Sequence, residues 1–347
     1  MTKPFPKVLI YGAGRHGQEA AWIAHDLGWD VVGAYNRAGD KVGQDIGEVR
    51  DGKTPIGVVV EDCEKVDFSK LDVDLAFVAM TDRLANNIQA YERLLGAGIN
   101  VICHGAESYF PRHSNSEVAA RIDEIARANG VTFTGTGVWD HSRIWAGILA
   151  AGPCKTITSM THKSRTQINT NPYIALVGTG VSVEEFERDF ALKPGPLGGI
   201  YQIIPALVMD GLGFTISSVT ERREPVVFAR ALYCEGLGRD VPAGECAGLR
   251  FVVEVNTVEG PKAHARIELR LFEEHEGNDN MGWEIDGDPN SDVLMARHDS
   301  LRTSTMCMIN RAADVITAPP GIQMITQLGP QKTCAAHAVS RIPEVLP

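Results

Sequence analysis

The sequence predicts an α/β chain: a doubly wound parallel sheet followed by an α+β domain with a mainly antiparallel sheet. Three observations carry this expectation. A short apolar run near the N-terminus ends in Gly12-x-Gly14-x-x-Gly17 and passes into a helical pattern. Strand-like and helix-like segments then alternate through about residue 150, as in successive βαβ units. Farther on, Leu249–Val258 and Ala263–Phe272, joined through Glu259-Gly260-Pro261-Lys262, read as an antiparallel hairpin.

Taken in order, Val8, Leu9, Ile10 and Tyr11 form a run short enough for a buried parallel strand, and Gln18–Leu27 reads as the helix after it. Gly12 permits the sharp turn, Gly14 lets a pyrophosphate approach the backbone, and Gly17 lets helix and strand pack closely. The helix N-terminus offers free N–H groups and a positive dipole end to phosphates. This is the fingerprint of a Rossmann-type dinucleotide-binding unit, and it puts Ala13, Arg15 and His16 in the cofactor site with the three glycines. Trp29–Tyr35 is the second strand. An NAD-preferring site places a carboxylate at its end, on the ribose 2′-hydroxyl. Here Asn36-Arg37 follows instead, and Arg37 can hold a 2′-phosphate through its planar fork. NADP is therefore the expected cofactor, with NAD taken at lower affinity; the other reading of Arg37 is an ordinary solvated loop arginine.

Residues 36–55 read as a loop and Ile56–Val60 as a further strand. Asp74–Met80 is a strand with a continuous apolar body, Thr81-Asp82 an N-cap signal, and the segment to Gly96 a helix. Asn100–Cys103, a helix over 116–129 and Val131–Thr134 complete the alternation. Ligands of such sheets lie outside the C-terminal ends of the strands, which adds Met80, Thr81 and His104 to the cofactor candidates. In the second domain Thr156–Thr161 and Phe214–Thr220 have strand character, Ser182–Phe190 opens with a Ser182/Glu185 capping box, and another helix spans about Ile200–Leu212. A helical pattern resumes at Ser300, stops at Pro319-Pro320-Gly321 and is expected to return to the first domain. The expected domains are 1–150, 151–299 and the returning segment 300–347.

Length and composition agree: 347 residues suggest about two domains, and 44% hydrophobic residues suffice for a large core. A net charge of −11 with scattered basic residues argues against nucleic-acid binding. No apolar run approaches the ~20 residues of a membrane span, and the N-terminus lacks signal-peptide anatomy, so a soluble cytoplasmic protein is expected. Cys63, Cys103, Cys154, Cys234, Cys246, Cys307 and Cys334 form no CxxC pair and no cluster with histidine, which argues for reduced thiols and against zinc or disulfides.

The most informative loop is Cys103–Pro111, CHGAESYFP. A carboxylate among its apolar and aromatic residues is partly desolvated and can exchange protons near neutrality, making Glu107 the candidate proton shuttle against a surface or helix-end role. His104 reads more readily as a satisfied structural group than as a catalytic one. Asp140 suits an N-cap before Ser142–Leu149 better than a dyad with His141. Trp139, Trp145, Ile168, Tyr173 and His264 are candidates for the substrate pocket, the tryptophans serving equally well as domain core; His162 and Arg165 are further candidates to face a cleft. No GxSxG elbow, P-loop, HExxH or zinc spacing occurs, which leaves hydride transfer.

Several stretches carry a family resemblance: VLIYGAGRHG, NVICHGAES, the GTGV turn at Gly135–Val138, Gly178–Phe186 and Asn310–Gly321. The first strand and glycine turn resemble dihydrodipicolinate reductases, and the chain as a whole resembles the 2,4-diaminopentanoate dehydrogenase and native amine dehydrogenase group. The resemblance implies reversible reductive amination of a carbonyl compound with ammonia and NAD(P)H, a homodimer, and a glutamate, here Glu107, managing the amine and carbinolamine protons. Trp139-Asp140-His141 follows GTGV where diaminopentanoate enzymes commonly have Asn-Pro-Gly, which favours a small neutral ketone or aldehyde. Two other readings stay open: an ammonia-independent reductase, for which Thr161–Arg165 is a partial basic loop, and an NADP-binding sensor without turnover.

Overall fold

The computed structural model describes residues 5–49, 54–170, 173–192, 195 and 197–333; Cys334 and the end of the returning segment lie outside them. The first elements are β1 (Lys7–Tyr11), α1 (Arg15–Asp26), β2 (Asp30–Asn36), β3 (Val60–Asp62), β4 (Leu75–Val78), α2 (Leu84–Gly96), β5 (Asn100–Cys103), α3 (Pro111–Ser114), α4 (Ser116–Ala128) and β6 (Thr132–Gly135). They are followed by α5 (Ala146–Ala151), β7 (Thr156–Gln167), α6 (Val183–Phe186), α7 (Ile203–Gly211), β8 (Ile216–Val227), the short β9 (Leu232–Cys234) and β10 (Arg239–Val241), β11 (Cys246–Thr257), β12 (Lys262–Arg270), β13 (Asp279–Asp288) and β14 (Ser291–Arg297). The last are α8 (Ser300–Asn310), α9 (Ala312–Thr317), β15 (Gly321–Ile322) and α10 (Ile325–Leu328). They form two compact units, one running to His141 and resuming at Asp299, the other spanning Ser142–His298.

The first unit is a parallel sheet in the order β15-β6-β5-β4-β1-β2-β3. Its strands read as unbroken apolar runs because both faces are covered. Val8, Ile10, Leu75 and Phe77 point to a core shared with α1, α8 and α9, while Leu9, Tyr11, Ala76 and Val78 point to one shared with α2 and α4. Chain order reverses beside β1, which lies between β2 and β4, so the crevice where such sheets hold ligands opens at the glycine turn. The expected strand at Ile56–Val60 is displaced: only an isolated bridge joins Val59 to Asp45, and the strand proper is Val60–Asp62 beside β2. The C-terminal segment adds β15 to β6, and Thr134 Oγ1 donates to Gln323 O at 2.6 Å.

The second unit carries a mixed sheet, β14-β13-β7-β12-β11-β8, in which β7 and β12 are parallel and every other pair antiparallel. The expected β11–β12 hairpin is present, and Ser182 caps α6 by accepting from Glu185 N at 3.1 Å. Helices α5 and α7 lie against this sheet. Gly147 of α5 sits so close to Trp283 that an added Cβ would come within 2.7 Å of the indole, and Trp283 Nε1 donates to Arg143 O at 2.6 Å. These interactions draw residues 142–151 into the second unit, so the division falls after His141 and not at 150.

Candidate active site

The glycine turn explains itself by what side chains would strike. Gly12 has φ +106°, outside the range L-residues favour, and a Cβ there would collide with Ala79 O. A Cβ on Gly17 would collide with Gly12 O, whereas over Gly14 no heavy atom lies within 4 Å. Helix α1 begins at Arg15 with Gly14 as N-cap, no side chain bonded across the cap and no acidic residue in the first turn. An open backbone facing uncapped N–H groups at a positive dipole end suits a pyrophosphate, so the residues present fit a dinucleotide. Asn36, at the end of β2, reaches the glycine turn: its Oδ1 accepts from Ala13 N at 3.4 Å and its Nδ2 donates to Arg37 O at 3.1 Å. Arg15 and Arg37 are exposed. Met80 Cγ lies 3.2 Å from where a Gly12 Cβ would stand.

The loops after β4 and β5 are fastened to each other. Ala106 N donates to Asp82 Oδ1 at 3.1 Å and Glu107 N to Asp82 O at 3.0 Å. In return Glu107 Oε2 accepts from Leu84 N at 2.8 Å, and Oε1 accepts from Arg83 Nη1 at 2.7 Å. Gly105 permits this approach, since a Cβ there would meet Thr81 O. Glu107 is buried as expected, at 8% exposure, but its surroundings differ from the isolated carboxylate read from the sequence. It forms an ion pair with Arg83 and caps α2 from another loop. The Thr81-Asp82 cap expected for α2 is accordingly not used. Arg83 is the N-cap residue without a side-chain cap bond, and Thr81 Oγ1 donates to Asn87 Oδ1 at 2.9 Å while Asn87 Nδ2 donates to Thr81 O at 2.8 Å. The Thr81 hydroxyl is thus turned to Asn87.

His104 projects between β5 and the glycine turn, its ring centroid 4.3 Å from that of His16. Its Nδ1 is buried and has no hydrogen-bond partner among the described residues. Burial lowers its pKa below the ordinary histidine value, against the pull of the Asp82 charge. Farther along, Trp139 is half-buried with its ring 5.4 Å from that of Tyr109.

Asp140 departs most from expectation. It is 0% exposed and lies inside a π-helical turn, Asp140–Trp145, so it is not the cap of a following helix. Its carboxylate accepts from Arg311 Nε and Nη2, both at 2.8 Å, and from Thr136 Oγ1 at 2.7 Å. A bidentate pair this deep needs both carboxylate oxygens engaged, which these three bonds supply. His141 Nδ1 lies 3.6 Å from Cys307 Sγ and makes no dyad with Asp140 through that nitrogen.

Within the second unit the expected pocket residues separate. Trp145 is half-buried with its indole N–H unpartnered among the described residues, Ile168 is buried, and Tyr173 is partly exposed. His264 alternates with the buried Ala263 and Ala265, so it occupies the sheet face opposite theirs. Trp283, against which α5 packs, aligns on β7 with His162, a residue of the buried face. His264 and the α5 side therefore belong to opposite faces, and the grouping of His264 with Trp145 does not hold within one chain. Thr161–Arg165 is strand β7, not a basic loop. His162 Nδ1 donates to Gly282 O at 2.9 Å, Lys163 Nζ to Glu284 at 2.6 Å and Arg165 Nη1 to Glu276 at 2.7 Å. Burial first and the Arg143 charge second hold His162 well below its ordinary pKa. Sequence reasoning gave Arg83 and Arg311 no role of their own and read Asp82 only as part of a cap signal; Arg311 lay in the quoted Asn310–Gly321 stretch.

Among the described residues no helix is long and apolar enough to cross a membrane, no group of three or more His, Cys, Asp or Glu could hold a metal, and six cysteines are free thiols. No family model matches the chain. It is 28% identical over 236 residues to 2,4-diaminopentanoate dehydrogenase of Acetoanaerobium sticklandii, the match covering 64% of this chain and 64% of that protein's length. An amine dehydrogenase from Mycobacterium smegmatis superposes with a TM-score of 0.79 at 27% identity, covering 94% of this chain and 97% of that one. GenD2 from gentamicin A biosynthesis, solved in complex with NAD, shares the fold at TM-score 0.59 and 16% identity, over 99% and 95% of the two chains. With the glycine turn, these likenesses define a nicotinamide-dinucleotide-binding fold of the kind dehydrogenases are built on. Within that class, the chain is similar to 2,4-diaminopentanoate dehydrogenase and to the amine dehydrogenase from Mycobacterium smegmatis.

Proposed function

We propose that the protein is an NADPH-dependent amine dehydrogenase that interconverts a small neutral ketone or aldehyde plus ammonia with a primary amine, using NAD at lower affinity. The observation that carries this reading is Glu107, a buried carboxylate three residues beyond the His104 ring that meets His16 of the glycine turn. The family likeness supports the same chemistry. The dinucleotide supplies or accepts the hydride when bound. Gly12–Gly17 and the first turn of α1 hold its pyrophosphate, Arg37 holds a 2′-phosphate, and His104 and Met80 flank its nicotinamide end.

Glu107 Oε2 stays on Leu84 N, so Oε1 is the atom that moves protons. It takes one from the incoming nitrogen and returns one to the carbinolamine hydroxyl, which leaves as water. Trp139, its ring tilted beside that of Tyr109, gives the site an apolar side that suits an uncharged carbonyl compound. The homodimer of the family is carried over as an expectation that light scattering checks.

The test is NADPH oxidation with a panel of short ketones and aldehydes, with and without ammonium chloride. Ammonia-dependent turnover is expected, and Glu107→Gln should reduce it by about 100-fold or more while retaining NADPH binding. Oxidation without ammonia would move the chain to the carbonyl or imine reductases, and NADPH binding without turnover would make it a sensor.

A further inference from the structure

The two oxygens of Glu107 are held in different ways. Oε2 is bound to a backbone N–H at the start of α2, which cannot leave without fraying the helix. Oε1 is bound to the end of a long side chain, the Arg83 guanidinium, at 2.7 Å. The glutamate side chain is 11% exposed and that of Arg83 31%, so the cation lies on the more solvated side of its partner. The carboxylate does not depend on Arg83 for its place: Leu84 N, and the bonds from Ala106 N and Glu107 N to Asp82, hold it from the backbone.

We propose that Glu107 Oε1 is an exchangeable cation site, closed by Arg83 in the resting protein and opened when an ammonium or protonated primary amine takes the guanidinium's place. The proposal rests on the amine dehydrogenase reading and deepens it by naming how the nitrogen substrate enters. Leaving the buried Glu107 carboxylate without a cation partner is unfavourable, by the modest amount a partly exposed pair contributes. The departure of Arg83 is therefore compensated by a replacement that brings both positive charge and N–H donors. Ammonium and alkylammonium ions bring both; a neutral ketone brings neither. Once seated, the ammonium gives one proton to Oε1: an N–H bond breaks, an O–H bond forms, and ammonia is left with the lone pair that attacks a carbonyl carbon. Arg83 is a positioning residue in this scheme, a built-in competitor that keeps the carboxylate oriented until substrate arrives.

Removing an internal competitor raises the apparent affinity for the external cation by the inverse of the fraction of time the site stood open. For a partly exposed ion pair this is roughly three- to tenfold. Arg83→Gln should thus lower KM for ammonium by about that factor, with kcat moving less, and Arg83→Lys, which keeps a cation on a long stem, should restore the unsubstituted value. A merely structural arginine would do the opposite, raising KM or lowering kcat in both variants.

A second readout needs no turnover. In the NADPH-bound, 15N-labelled protein, the Arg83 Nε–H signal, assigned by its loss in Arg83→Gln, should shift as methylammonium chloride is added. It should not shift with tetramethylammonium chloride, which has the charge without N–H donors. An unmoved signal with methylammonium, or an unchanged or raised KM in Arg83→Gln, overturns the proposal. A responsive signal with no amination of any ketone would sink the functional reading and leave the cation site standing. Amination with the signal and KM unmoved would do the reverse.

Discussion

Replacing Glu107 separates two roles that the structure puts on one side chain. Glu107→Ala removes the acceptor of a buried backbone N–H at the start of α2 and the partner of Arg83. Losing a helix cap costs about 0.5–2 kcal/mol, and an unpaired buried N–H adds about 1–3 kcal/mol. The Arg83 pair, with the arginine 31% exposed, adds under about 1 kcal/mol. These overlap, so roughly 2–4 kcal/mol is the expected loss. Glu107→Gln keeps a neutral oxygen that can accept from Leu84 N, and should lose about half as much. For a unit of this size, each kcal/mol moves the melting temperature by about 2–4 °C. Differential scanning calorimetry should therefore rank the proteins as unsubstituted, Gln, Ala, with several degrees between the last two. Turnover should collapse in both variants alike. An alanine variant as stable as the parent would remove the cap; a glutamine variant with near-normal turnover would end the proton-transfer role.

The remaining expectations concern other charged groups. Arg311→Ala leaves Asp140 buried and unpaired and should destabilise by about 3–5 kcal/mol; adding Asp140→Leu should recover much of it in urea titrations, and failure to recover would mean the pair is not what Arg311 contributes. Arg37→Ala should raise the Kd of NADPH about tenfold and leave that of NADH nearly unchanged, measured by fluorescence titration; equal effects on both would refute 2′-phosphate recognition. The Arg270 guanidinium holds Glu276 down to about 2, below its ordinary 4.5, so its stabilisation is complete above about 4.5 and is lost as pH falls through about 2. Glu276→Gln should flatten the acid limb of the melting-temperature profile there, and an unchanged acid limb would contradict the assignment.

What could be read from the sequence was what depends on neighbours in the chain. The apolar runs of β1 and β4, the glycine turn, the Ser182 cap and the β11–β12 hairpin each announce themselves within a few residues. The β13–β14 pair did not, because Gly282, Gly287 and the acidic residues around them obscure the alternation of Met281, Trp283 and Ile285. Nor did β15, two residues long and placed on β6 only by the returning segment. The site shows the same division. Glu107 was picked out by its loop, but Arg83 stands 24 residues away and meets it because β4 and β5 are adjacent. Asp140 was assigned a local cap because its true partner, Arg311, lies 171 residues on. Ionic partners joined through a sheet leave no periodicity to read.

The discontinuity of the dinucleotide unit bears on biosynthesis. A ribosome delivers β1 to β6 first, yet the sheet's α1 face stays without Met308, Ile309 and Val315, and Asp140 without its guanidinium, until residues beyond 299 emerge. The intervening unit is continuous and has all its strands by Arg297, so it can close while the earlier half still waits. Synthesis of the nucleotide fold is thus interrupted by that of the second unit, and a nascent chain halted near residue 298 would present a greasy, half-clad sheet to chaperones.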